Sequence, residues 1–153
     1  MRTIKVHDLK EGLVANIRIQ LPGEVQIEKE QYFEWEPSNL IAMFNSTAIR
    51  GGILRSHGSK VEFDEVETHI DTELFLFLEG TALMPFVDLS DDQPLMDTMQ
   101  IVRIQSGTQI SIPPGKGHYV PVPENDIPLK IIVIAPEMGD ISIKLPEPVN
   151  ALL

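Results

Sequence analysis

The chain has 153 residues, with 23 Asp and Glu against 12 Lys and Arg and no cysteine. That length suits one domain spanning 1–153 with its own core. The absence of cysteine excludes a disulfide framework and any thiolate metal site, and a net charge of −11 with no basic patch argues against nucleic acid as a partner.

No apolar run approaches the ~20 residues of a membrane span. The opening MRTIKVHDLKEG lacks the apolar core of a signal peptide. A cytoplasmic protein with no membrane partner is expected.

In chain order, residues 1–20 alternate poorly, and only 14–19 (VANIRI) reads as a strand. A turn follows at Leu21-Pro22-Gly23. Short strands are predicted at 25–27 and 32–35, a brief helical turn at 39–44, and a strand at 48–54 interrupted by Gly51-Gly52. A turn at 56–59 leads to a strand at 61–63 and then to the longest run, 67–78, which ends at Glu79-Gly80. Strands at 83–89, 98–104, 109–112 and 118–122 are separated by a loop at 90–94, a turn at Ser106-Gly107 and the Pro/Gly-rich loop 113–117. Strands at 129–135 and 141–145 complete the set, and the closing LPEPVNALL reads as a surface tail or a partner contact. Helical periodicity nowhere exceeds about two turns, and turn signals recur about every 8–12 residues, so an all-β sandwich or barrel is predicted. N-terminal strands occupy about 1–55, the core about 56–145 and the tail 146–153. Trp35, Phe33, Phe75 and Phe77 are expected in the core.

The longest run carries the chemistry. In an unbroken strand Glu67, His69, Asp71 and Glu73 share one face. The spacing of Glu67, His69, Glu73 and Gly80 resembles cupin motif one, which usually has His where Glu67 stands. Gly107, Pro113, Gly115 and His118 have the spacing of cupin motif two. Val61 replaces the first glycine of motif one, and Val122 the final Asn of motif two. The resemblance implies an all-β, cupin-type double-stranded β-helix (a jelly-roll barrel) with its site in the mouth. Glu67, His69, Glu73 and His118 would then be metal ligands, a donor set that suits Zn, Mn, Fe(II) or Ni. Asp71 is placed at the rim. Gly115 and Gly117 would let the backbone turn so that His118 points inward. The competing reading is an exposed strand with a solvated polar face and a surface His118.

Around the same residues the chain looks like the ureidoglycolate lyase family over about 60–123, through Glu67-Thr68-His69, the stretches 90–94 and 98–104, and His118 to Pro121. A second His in that family is Tyr119 here, and Glu73 stands where the family tends to carry Gln. The resemblance implies elimination of urea from ureidoglycolate to give glyoxylate. Glu73 or Glu67 would take the hydroxyl proton, and Tyr119 or Lys116 would protonate the departing nitrogen. Arg103, Arg55 or Lys116 would hold the carboxylate of a small anionic substrate, with Arg103 favoured because it lies in the apolar strand IVRI. The alternatives are a cupin isomerase or oxygenase acting on a sugar or carboxylate, and a non-catalytic cupin that binds a small ligand. A homodimer formed through edge strands is expected.

Overall fold

Apolar residues on both sides of the strand alternation, as in ALMPFV, require a sheet covered on two faces. The computed structural model describes residues 1–58 and 62–153 and shows how that cover is arranged. Val61, which the motif comparison singled out, lies outside the described residues. The strands are β1 Arg2–Asp8, β2 Arg18–Gln20, β3 Glu28–Lys29, β4 Glu34–Trp35, β5 Ile49–Ser56, β6 Glu62–Thr68, β7 Glu73–Glu79 and β8 Ala82–Val87. They continue with β9 Leu89–Ser90, β10 Gln93–Pro94, β11 Gln100–Ile104, β12 Gln109–Ile112, β13 Gly117–His118, β14 Val122–Pro123, β15 Leu129–Pro136 and β16 Ile141–Leu152.

The fold is all-β, a closed barrel of two sheets, as expected. A seven-stranded sheet runs β11-β1-β16-β6-β13-β8-β14, and β8 also pairs with β11, which curls the sheet onto itself. A five-stranded sheet runs β2-β12-β7-β15-β5. Between the two sheets Phe75, Phe77, Ile110, Ile112 and Ile131 pack against Met84, Phe86, Val102 and Ile104. The other face of the seven-stranded sheet holds a second core that includes Phe63, Val66, Leu83, Val87 and Ile101. In β8 and β11 even-numbered residues therefore face the gap between the sheets, and odd-numbered ones face the second core.

Five sequence expectations change. The run 67–78 is two strands, because the chain bends between Thr68 and Glu73 and crosses from one sheet to the other. Asp71 pins this bend: its carboxylate accepts the backbone N–H groups of Asn45 at 2.9 Å, Ser46 at 3.0 Å and Thr72 at 2.7 Å. The carboxyl is held below its ordinary value, chiefly by the Asn45 N–H. Asp71 is thus a buried clamp rather than a rim residue. The C-terminal stretch is no tail, since β16 runs to Leu152 between β1 and β6 and buries Val149. Residues 39–44 form no helical turn. Trp35 and Phe33 are exposed, whereas Phe75 and Phe77 are core.

Candidate metal centre

The bend that breaks the predicted strand is what assembles the site. Glu67 ends the β6 side, in the seven-stranded sheet, and Glu73 opens β7, in the five-stranded sheet. His69 lies in the bend between them. His118, on β13, is the direct cross-strand partner of both Glu67 and Phe86. It shares their face, between the sheets, with its ring edge-on to Phe75 at 6.2 Å. The ligand atoms of Glu67, His69 and His118 lie within 4.8 Å of one another. Glu73 Oε2 is 2.9 Å from His118 Nε2 and 3.1 Å from His69 Nε2. All four expected ligands are therefore gathered, although the shared strand face that first linked them does not exist.

The proton inventory of this cluster calls for a cation. His118 Nδ1 is 3.0 Å from the Lys116 carbonyl, and His69 Nδ1 is 3.4 Å from the Gly139 carbonyl and 3.3 Å from Asp140 Oδ1. Carbonyl and carboxylate oxygens only accept, so each Nδ1 carries the proton. Each Nε2 then presents a lone pair to Glu73 Oε2 unless its ring is protonated as well. Two nitrogens and an anionic oxygen that converge as acceptors must share a proton or a metal ion. Consistently, buried His69 Nε2 makes no well-aligned hydrogen bond, despite its 3.1 Å separation from Glu73. The outward Nδ1 bonds also match the way ligating imidazoles are oriented by a second partner. Two His nitrogens with two carboxylates therefore fit a divalent ion, and Zn, Mn, Fe(II) and Ni all accept such a set.

The electrostatics agree. Burial pushes the Glu73 carboxyl up, but the hydrogen bond from His118 and the close approach of both imidazoles outweigh this and hold it at about 2. Burial pulls the His69 imidazole down, yet the neighbouring Glu73 anion leaves it above its ordinary value. Burial is the largest influence on Glu67 and raises its carboxyl.

Apart from Glu73 and Glu67, the predicted catalytic and substrate groups do not join this cluster. Arg103 pairs with Leu83, so it faces away from the gap between the sheets. There its guanidinium binds Glu124 at 2.6 Å and Asp8 at 2.7 Å. The expectation that it faces the site fails on strand parity. Arg55 is exposed beside Leu54, which packs into the core, and so points outward from β5. Tyr119 packs edge-on to Phe63, and its hydroxyl donates to Glu65 at 2.8 Å. That bond leads the influences raising its pKa to about 12, which ill suits a general acid. Lys116 is buried, and its ammonium is held by Asp88 at 2.5 Å. Its carbonyl, not its ammonium, serves the site, through His118 Nδ1. Gly139 and Asp140, the partners of His69, carried no signal in the sequence beyond their turn-like composition.

Fold and centre together define a two-sheet barrel with a candidate divalent-metal centre between its sheets. No family model matches the chain, and no curated protein matches it. Among solved structures the chain is similar to oxalate decarboxylase from Bacillus subtilis, in a structure concerned with its Mn(II) centres, at 21% identity and a TM-score of 0.46 over 64% of this chain and 24% of that one. An oxalate decarboxylase structure concerned with substrate binding mode and reaction specificity gives the same values. This chain thus aligns to about a quarter of the length of those chains, and no activity follows from a likeness of that size.

Proposed function

We propose that the chain is a metal-dependent enzyme of the cupin type, a carbon–nitrogen lyase that releases urea and glyoxylate from ureidoglycolate or acts on a similar small α-hydroxy acid. The convergence of both Nε2 atoms on Glu73 Oε2, with both Nδ1 atoms committed outward, carries the metal-binding part. The sequence resemblance around Glu67, His69 and His118 supports the substrate class.

His69, His118 and Glu73 would hold a divalent ion beside Glu67, and that ion would supply Lewis acidity towards the adjacent hydroxyl and carboxylate of such a substrate. Glu73, gripped by two imidazoles, stays anionic and serves as a ligand. Glu67 would be the carboxylate left to accept the hydroxyl proton on an Oε atom and to return it to the departing nitrogen. Because Arg103 and Arg55 face away, the substrate carboxylate would meet the metal-holding cluster rather than a side-chain clamp. The same absence favours a second reading, a non-catalytic barrel that binds a small anion at its metal.

Metal-loaded protein incubated with ureidoglycolate should release glyoxylate above the spontaneous background, and His118→Ala should abolish the excess. Release at the background rate by a metal-loaded sample removes the lyase reading and leaves the binder.

A further inference from the structure

An antiparallel sheet with one face in the core usually turns polar side chains to the other. The five-stranded sheet does not. Cross-strand pairing sets Leu76, Ile132 and Ile53 in one row on its outer face, with Leu74 and Ile134 in the next. Ile53 is 54% exposed, and Leu78, further along β7, is 45% exposed. Towards β12 and β2 the same rows become polar, with Gln109 and Gln20 in one and Ser111 and Arg18 in the other. That polar side is crossed by the chain's own segment 41–46. Arg18 donates to the Ile41 carbonyl, Thr72 to the Met43 carbonyl, and Asp71 holds Asn45 and Ser46. The strap thus lies over the polar rows, while the aliphatic rows continue beyond it to β5.

A second apolar surface stands out from the same chain. Among the described residues, β3 and β4 pair only with each other. This hairpin carries Tyr32, Phe33 and Trp35 at 88%, 60% and 56% exposure. A two-stranded hairpin alone in water is marginal, and exposed aromatic clusters mark interfaces. The charges of the two surfaces are opposite. The hairpin holds Glu28, Glu30 and Glu34 against Lys29, whereas the outer face sets Arg55 beside Lys130. Lys130 meets Glu79 at 3.3 Å, an exposed pair of the kind that contributes little and is readily exchanged.

We propose that these two surfaces meet between two copies of the chain. In a two-fold dimer, the hairpin 28–35 of each copy lays its aromatic side chains on the aliphatic outer face of β7, β15 and β5 of the other, with its glutamates towards Arg55 and Lys130. An isologous exchange satisfies both surfaces on both copies at once.

Trp35 is the chain's only tryptophan, so the interface carries its own reporter. Sedimentation of the full chain should show a dimer at micromolar concentration. Trp35 emission should be blue-shifted there and move to the red on dilution, at the concentration where sedimentation shows dissociation. Phe33→Ser and Ile53→Lys both replace exposed side chains, so their circular dichroism should match the parent. Each should weaken dimerisation at least tenfold, and Ile53→Lys should also shift Trp35 to the red. A monomer at all concentrations overturns the proposal. So does a dimer that neither variant weakens, or a blue emission that persists in the monomer, which would place the hairpin on its own chain.

Discussion

Glu73 holds the centre together, because a single oxygen, Oε2, faces both imidazoles. In the metal-free chain the imidazoles keep its carboxyl at about 2, against an ordinary 4.5. A depressed carboxyl stabilises the folded state fully above its unfolded value and loses that contribution as pH falls through its folded value. The stabilisation is on the order of 3 kcal/mol, and it should decay between about pH 4.5 and 2. His69 acts in the opposite sense. Its raised pKa stabilises below its ordinary 6.5 and loses effect as pH rises past the folded value. Urea unfolding of metal-free protein at pH 5 and pH 3 should therefore show a steeper loss for the parent than for Glu73→Gln. Equal losses would mean that Glu73 is not held as an anion between the histidines.

At the scale of elements, the loop 113–118 positions both histidines. The Gly115 N–H donates to the His69 carbonyl at 3.1 Å, with Gly115 at φ +79°. The Lys116 carbonyl accepts a hydrogen bond from the His118 Nδ1–H, and the Lys116 ammonium ties the loop to Asp88, just beyond β8. Gly117 lies so close to β8 that an added Cβ would stand 2.7 Å from Val87 Cγ1 and 3.0 Å from its carbonyl oxygen. Lys116→Met should keep the barrel folded but weaken metal affinity about tenfold or more by freeing the loop. Asp88→Asn leaves a buried ammonium without its anion and should destabilise the chain by roughly 3 kcal/mol. Competition with a chelating dye and chemical denaturation separate the two effects. Unchanged metal affinity in Lys116→Met would mean that the pair does not position His118.

β8 and β11 were legible in the sequence because both their faces lie in cores, and β7 and β15 because aliphatic residues on their outer face join those in the core. β1 was not, since only Ile4 and Val6 interrupt its polar residues. The end of β16 was hidden by Pro146 and Pro148, which the sheet accommodates at a register shift between Lys144 and Val149. Motif spacing picked out the four side chains that cluster, although they do not share one strand face. The clamp on the bend comes from Asn45 and Ser46, and nothing local to Asp71 announces so distant a partner. Arg103 and Tyr119 were misplaced because spacing does not reveal which face of a two-faced sheet a residue takes.

At the scale of the molecule, one sheet curls around a core of its own while the other closes over a second core. The centre sits where β6, β13 and β7 bring the two sheets together. Its ligands come from both sheets, so a bound ion would link them, and metal binding should raise the unfolding midpoint by mass action. The account rests on the cluster of Glu67, His69, Glu73 and His118 being a cation site. The most direct test is titration of chelator-stripped, folded protein with Mn(II), Zn(II), Fe(II) and Ni(II), read by calorimetry and by elemental analysis after desalting. One tightly held divalent ion per chain is predicted, lost in His69→Ala and in His118→Ala while circular dichroism stays that of the parent. A folded parent that retains none of the four ions, or histidine variants that retain them undiminished, would contradict it.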